Sequence, residues 1–391
     1  MSVHNGEPYL QASVESILSQ SWHTLELVIV DDGWTDDTWE ILSSYCKRDP
    51  RMVIARHATN QGVAHGLNHG VALSSGEFVA RQDADDVSHL DRLIRQLDYL
   101  RRFPDVGLVG CLPQFIDHDG RPLPIDPSRY PTEDAQIRRS LMDHNCLCVG
   151  VLLRRRHLEQ VGGFQQDLAP AEDYDMWLRL AEVTRFASLS EALYYYRQHE
   201  GSASASQRPL QMWNEARALE MAVARRGLDT GPGEASRLVA RDFLRAAFPA
   251  LLGADLPRAH EGVKRACRWE PRVFVEGDLV ERVVLRYLTP YQPQEPLLLV
   301  QRLFTDVLPV TRHMRRVERR ISSRIHMDQV FGGGQDKARV DVLSHLRAGI
   351  QTGPRWLLNR GVLAIGVRQL LLRGIGLGAR VRRRPSSKAR T

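Results

Sequence analysis

Leu25-Glu26-Leu27-Val28-Ile29-Val30-Asp31-Asp32-Gly33-Trp34-Thr35-Asp36 is the stretch that decides the architecture. Its apolar run, Leu25 to Val30, reads as a buried strand that ends on carboxylates. The pattern recurs at Glu77 to Arg81, which leads into Asp83-Ala84-Asp85-Asp86. Carboxylates at the C-terminal ends of neighbouring strands point into the crevice where open α/β sheets bind ligands. Crowded like charges repel unless a cation joins them, and hard divalent cations take oxygen ligands. A metal chelated by a diphosphate meets both needs, so the two stretches point to a nucleotide or nucleotide-sugar site.

Working outward, strands and helices alternate. Tyr9 to Ser19 has helical spacing through Leu10, Val14, Ile17 and Leu18. Thr35 is placed to cap a following helix, with Asp36 and Asp37 in its first turn, where carboxylates suit the helix dipole. Met52–Arg56 reads as a strand, Gly62–Leu73 as a helix, Phe78–Arg81 and Val106–Cys111 as strands. This rhythm predicts an α/β fold with a doubly wound, mostly parallel, Rossmann-like sheet. The character changes at Gly201-Ser202-Ala203-Ser204-Ala205-Ser206, a small, polar stretch that reads as a linker. Helical segments are expected near 208–227, 235–252, 257–267 and 294–325, with a break at Gly332-Gly333-Gly334. The predicted domains are therefore 1–205, a helical region 206–335 and a basic tail 336–391.

Composition narrows the class. Hydrophobic residues at 43% and charged residues at 26% are ordinary for a soluble globular chain of 391 residues. Cys46, Cys111, Cys146, Cys148 and Cys267 have no framework spacing and read as reduced thiols. No run approaches the roughly 20 apolar residues of a membrane span. The net charge of +6 divides unevenly: residues 1–200 hold 19 Lys+Arg against 30 Asp+Glu (−11), and residues 201–391 hold 34 against 17 (+17). An acidic catalytic half and a basic docking half follow from that split.

Ordered motifs carry a resemblance. Asn5-Gly6-Glu7-Pro8-Tyr9-Leu10, Val30 to Thr38, Asn60-Gln61-Gly62, Asn68, Ser75-Gly76-Glu77, Asp83-Ala84-Asp85, Gly162-Gly163-Phe164 and Glu172-Asp173-Tyr174-Asp175-Met176-Trp177-Leu178-Arg179 appear in sequence. In that order they resemble the family 2 glycosyltransferases of the GT-A fold, over about Val3 to His199. The resemblance implies the following roles. Asn5, Asn60 and Asp32 would meet the donor, Asp32 accepting a hydrogen bond from the base, with Asp31 structural or a secondary contact. Asp83 would face the ribose or the metal, and Asp85 would be the principal carboxylate on Mg²⁺ or Mn²⁺, supported by Asp86. Glu172 and Asp173 would be the catalytic pair, Asp173 taking the acceptor's proton. Arg197 and His199 would approach the diphosphate. Asp175 would face away, and Trp177 either floors the acceptor pocket or packs in the core. His4, His57, His65 and His69 read as core or surface histidines rather than ligands.

Three departures stand out. Trp34 replaces the family's usual Ser, Cys148 falls where a His is common, and only Met1-Ser2-Val3-His4 remains of an opening apolar strand. That strand is central in the family, which leads to the expectation that the native start lies several codons upstream. The basic segments Arg312–Arg324 and Gly361–Arg384 mix Leu, Ile and Val with many Arg, a composition that suits a helix on an anionic membrane surface. A solvated tail is the plainer reading, and no nucleic-acid motif is visible.

The reading is an inverting, metal-dependent glycosyltransferase of cell-envelope or exopolysaccharide synthesis, cytoplasmic and peripheral at the inner membrane face. Its partners would be a UDP-, GDP- or dTDP-sugar donor and a saccharide or lipid-linked saccharide acceptor. A non-catalytic scaffold is one alternative. A sugar-phosphate nucleotidyltransferase is another, although its Gly-rich basic loop is not seen.

Overall fold

The structure is a computed structural model that describes residues 1–355 except 34, 229–232, 254, 277, 292–295, 309–310, 332–341 and 354. Trp34 and the basic segment 361–384 therefore lie outside the described residues. Contacts divide the chain into two compact units, Met1–Ala246 and Ala247–Thr391.

The first unit opens β1 (Ser2–Val3), α1 (Glu7–Leu18), β2 (Leu27–Asp32), α2 (Thr38–Cys46), β3 (Met52–His57) and α3 (Val63–Leu73). β1, β2 and β3 form a parallel sheet in that order. All six residues of β2 are buried, as a strand covered on both faces must be. Leu10, Val14 and Ile17, one apolar stripe of α1, pack on Leu27, Ile29 and Leu42. Each contributes about 1.5–3 kcal/mol by leaving water.

Next come β4 (Phe78–Ala80), β5 (Val87–Ser88), α4 (Arg92–Arg102), β6 (Val106–Ile116), α5 (Asp134–Asp143), β7 (Leu152–Arg154), α6 (Arg155–Gln160), α7 (Glu172–Leu180) and β8 (Arg185–Arg197). The second sheet has the order β4-β7-β6-β8-β5. Only β6 and β8 run parallel there, so the expected parallel character holds for the first sheet and becomes mixed in the second. A cavity of about 610 Å³ lies between β2 and β4, lined partly by Val28, Phe78, Ala80, Leu97 and Leu152.

Helices α8 (Ala203–Ser206), α9 (Arg208–Arg225) and the first part of α10 (Glu234–Leu252) complete this unit. The stretch read as a linker thus contains a one-turn helix whose Ser202 hydroxyl accepts from the Ala205 amide. Small polar residues serve equally well as a cap and a turn.

The second unit is helical: the rest of α10, then α11 (Leu256–Trp269), α12 (Val273–Glu276), α13 (Asp278–Tyr291), α14 (Pro296–Arg302), α15 (Arg312–Phe331) and α16 (Val342–Thr352). Its core includes Met314, Val317 and Ile321 of α15. Among the described residues no helix is long and apolar enough to cross a membrane.

Candidate active site

The β2–β3 register places His57 beside Asp32. The His57 Nδ1 lies 2.7 Å from Asp32 Oδ1, which also accepts from the Gln61 amide at 2.9 Å, while Oδ2 accepts from the Gly62 amide at 2.7 Å. Asp32, expected to read the base, thus spends three bonds on holding the loop before α3. Asp31 points the other way, as strand alternation requires. It is fully buried, and neither oxygen has a hydrogen-bond partner among the described residues; Arg56 Nε stands 3.7 Å away. Burial raises the Asp31 pKa, with the Arg56 charge opposing. Unspent acceptor capacity therefore sits on Asp31. Gly33 makes the turn that follows them at φ +76°, and a Cβ there would fall 2.5 Å from the Asn60 nitrogen.

The neighbouring loop is stitched rather than capped as expected. Asn5 donates to Thr35 Oγ1 at 2.8 Å and accepts from the Thr35 amide at 2.9 Å, so Thr35 does not cap α2. Helix α2 begins at Thr38, whose amide donates to Asp36 at 3.2 Å. Asp36 also receives the Glu7 amide at 3.1 Å, at the start of α1. The Asn60 side chain accepts from the Gly62 amide at 2.9 Å.

The second acidic cluster sits between β4 and β5, within reach of the end of β8. The His199 Nε2 lies 2.9 Å from Asp85 Oδ2. Arg197 donates its amide to Asp86 at 2.7 Å and its Nε to the Asp85 carbonyl at 2.8 Å; Nη1 reaches the Asp117 and His118 carbonyls, each at 3.2 Å. Arg197 is buried, so it braces the acidic turn instead of presenting a cation to a diphosphate. The Asp85 pKa is raised by burial and then by the Asp83 charge, and Asp86 is pushed well up by burial, Asp85 and Asp83. Burial and neighbouring carboxylate charge thus hold Asp85 and Asp86 above the ordinary range, as in a site that favours added positive charge. Its carboxylate oxygens are the donors that hard Mg²⁺ or Mn²⁺ takes.

Arg81 is the residue that sequence reading passed over. Buried at the end of β4, it donates to Asp83 at 3.3 Å and to Glu172 at 3.0 Å. Its spacing of two from Asp83 was the available signal; its reach across 91 residues to Glu172 was not. Glu172 begins α7, and burial lifts its pKa from 4.5 to about 7 against the lowering charge of Arg81. Asp173 accepts from the Tyr174 amide at 2.6 Å and from Asn145 Nδ2 at 3.1 Å, and burial raises its pKa too. It lies in the first turn of α7 and is not its cap. Asp175 pairs with Arg179 at 2.6 Å, turned inward. Trp177 has no exposed surface and is core.

Against this geometry stand the comparisons. The family model "Glycosyl transferase family 2" matches residues 1–162. The O-antigen biosynthesis glycosyltransferase WbnJ of Escherichia coli is 33% identical over 217 residues, covering 53% of this chain and 81% of that protein. The chain belongs to glycosyl transferase family 2.

An uncharacterized glycosyltransferase of Haemophilus influenzae is 29% identical over 214 residues, 52% of this chain; the match spans 65% of that relative's length. Among solved structures, S. aureus TarS 1–349 in complex with UDP-GlcNAc superposes with a TM-score of 0.54 at 20% identity, covering 81% of this chain and 88% of that one. That likeness shows the shared GT-A fold. The family model covers the acidic strand ends and the loop behind them and stops short of α7.

One consequence is structural. A Cβ at Gly150 would lie 2.5 Å from the Tyr194 ring, and the Asp83 amide donates to the Tyr194 hydroxyl at 3.2 Å. Gly150→Ala is expected to displace that ring, costing about 1–3 kcal/mol by urea unfolding. It should also weaken nucleotide binding in calorimetry, because the Asp83 turn loses its hydroxyl anchor. Unfolding and binding both equal to wild type would show that the ring moves freely.

Proposed function

We propose that this protein transfers a sugar from a nucleotide-sugar donor to a hydroxyl acceptor, with inversion, in the synthesis of a cell-envelope polysaccharide. One observation carries the reading. A single guanidinium, Arg81, bonds Asp83 on one side and Glu172 on the other, which joins the Asp83–Asp86 turn and the Glu172-Asp173 pair into one centre. The O-antigen role in WbnJ's name and the UDP-GlcNAc in TarS support the donor class and the pathway class.

In this reading Asp85, with Asp83 and His199 beside it, would hold Mg²⁺ or Mn²⁺, which supplies positive charge to a departing diphosphate. Asp31 and Asp32 border the base side, where Asn5 and Asn60 fix the loops. Asp173 takes the proton of the acceptor hydroxyl as its oxygen bonds to the anomeric carbon and the bond to the diphosphate breaks. Asn145 keeps that carboxylate aimed, and a pKa raised by burial makes it a better base near neutral pH. Glu172 holds Arg81 in place. The acceptor would be a saccharide or a lipid-linked saccharide, met in the cytoplasm at the inner membrane face, with the basic segment 336–391 as a peripheral contact.

Calorimetry with UDP, GDP and dTDP, each with and without Mn²⁺, tests the donor site. One nucleotide is expected to bind in a Mn²⁺-dependent way and to lose at least tenfold in affinity in Asp85→Ala. Binding that ignores both Mn²⁺ and Asp85→Ala would remove the metal from the reading. No binding by folded protein would return the scaffold.

A further inference from the structure

In the helical unit, α15 carries arginine at nearly every solvent-facing position of its first half. Met314, Val317, Ile321 and Ile325 are buried on one side, and Arg312, Arg315, Arg316, Arg319, Arg320 and Arg324 are exposed. Two of the six are neutralised locally: Arg320 bonds Glu281 at 2.7 Å, and Arg324 lies 3.0 Å from Asp328. Arg312, Arg315, Arg316 and Arg319 have no ion-pair partner among the described residues. Between 312 and 324 Glu318 is the only acid, and it is half-buried. Four uncompensated guanidinium groups along about two turns form a line of charge, held rigid by the apolar face beneath it.

We infer that this arginine face of α15 is a docking surface for an anionic membrane, binding lipid phosphates. Guanidinium groups match phosphate oxygens with forked donors and shed water more readily than an ammonium. The face is one side of a single helix, which suits a plane. Among the described residues no helix crosses a membrane, so contact would be peripheral. The exposed side of Arg312–Arg324 has no aromatic ring on which a base would stack, which disfavours single-stranded nucleic acid. The inference rests on the proposed function only for its purpose, bringing the enzyme to a membrane-borne acceptor.

The test is flotation of the full chain with vesicles of equal parts phosphatidylglycerol and phosphatidylcholine, against phosphatidylcholine alone. Each arginine near an anionic surface is worth about fivefold in partition. The variant R312Q/R315Q/R316Q/R319Q is therefore expected to lose on the order of a hundredfold or more. The same four changed to Lys should retain most of the binding, and added salt should weaken it. A control, R95Q/R102Q/R121Q/R185Q, removes four exposed arginines from the first unit and should float like wild type. Circular dichroism melts establish that the variants are folded, and the nucleotide titration is run on each. Retained vesicle binding with no nucleotide binding would sink the proposed function and leave this inference standing. The inference is overturned if wild type ignores anionic vesicles, if the quadruple Gln variant floats undiminished, or if it and the control lose equally. Duplex DNA retained by wild type but not by the quadruple variant, without vesicle binding, would assign the face to nucleic acid instead.

Discussion

Asp173→Asn is expected to lower kcat by about three orders of magnitude, within the range that a positioned general base supplies. The amide nearly preserves shape, and its one oxygen can still accept from the Tyr174 amide, so the first turn of α7 should stand. Donor affinity, governed by the far side of Arg81, should change by no more than a few fold. That split between kcat and binding is the informative readout in single-turnover kinetics. Loss of donor affinity in parallel with kcat would mean that Asp173 supports the fold of the centre rather than the proton transfer.

Arg81→Ala is expected to cost about 3 kcal/mol of stability at pH 8, the lower end of the cost of breaking a buried ion pair. The cost should be smaller at pH 6, and the sign follows from Glu172. In the wild type its folded pKa is about 7 against an ordinary 4.5, so the folded state holds this proton more tightly and the group loses stability as pH rises between those values. Without Arg81 the main charge opposing the burial is gone, and the folded pKa climbs further. The variant then keeps losing stability above pH 7, where the wild type has levelled off. Urea unfolding at the two pH values measures the difference directly. An equal cost at both would show that Glu172 does not respond to Arg81.

What could be read from the sequence was what local pattern controls. The run Leu25–Val30 could only be a buried strand, and β2 is buried throughout. The acidic ends followed from it, as did α1 and α3. The direction of each carboxylate did not. Asp31 and Asp32 differ only by strand alternation, yet among the described residues one has no hydrogen-bond partner and the other is saturated by two amides and a histidine. Arg81 and Asn145 were invisible because their partners, Glu172 and Asp173, lie 91 and 28 residues away. Arg197 was read as a cation for a ligand, but backbone carbonyls had already claimed it. The stretch Gly201–Ser206 misled because its small polar residues suit a linker and a helix start alike.

The brace made by Arg197 also sets a schedule. Its bonds to Asp86 and Asp85 close loops of 111 and 112 residues. Contacts so distant pay a large closure entropy before they are rewarded, and they form late in folding. During synthesis the acidic turn leaves the ribosome long before β8 exists to hold it. The acidic turn therefore has no brace until the first unit is almost wholly made.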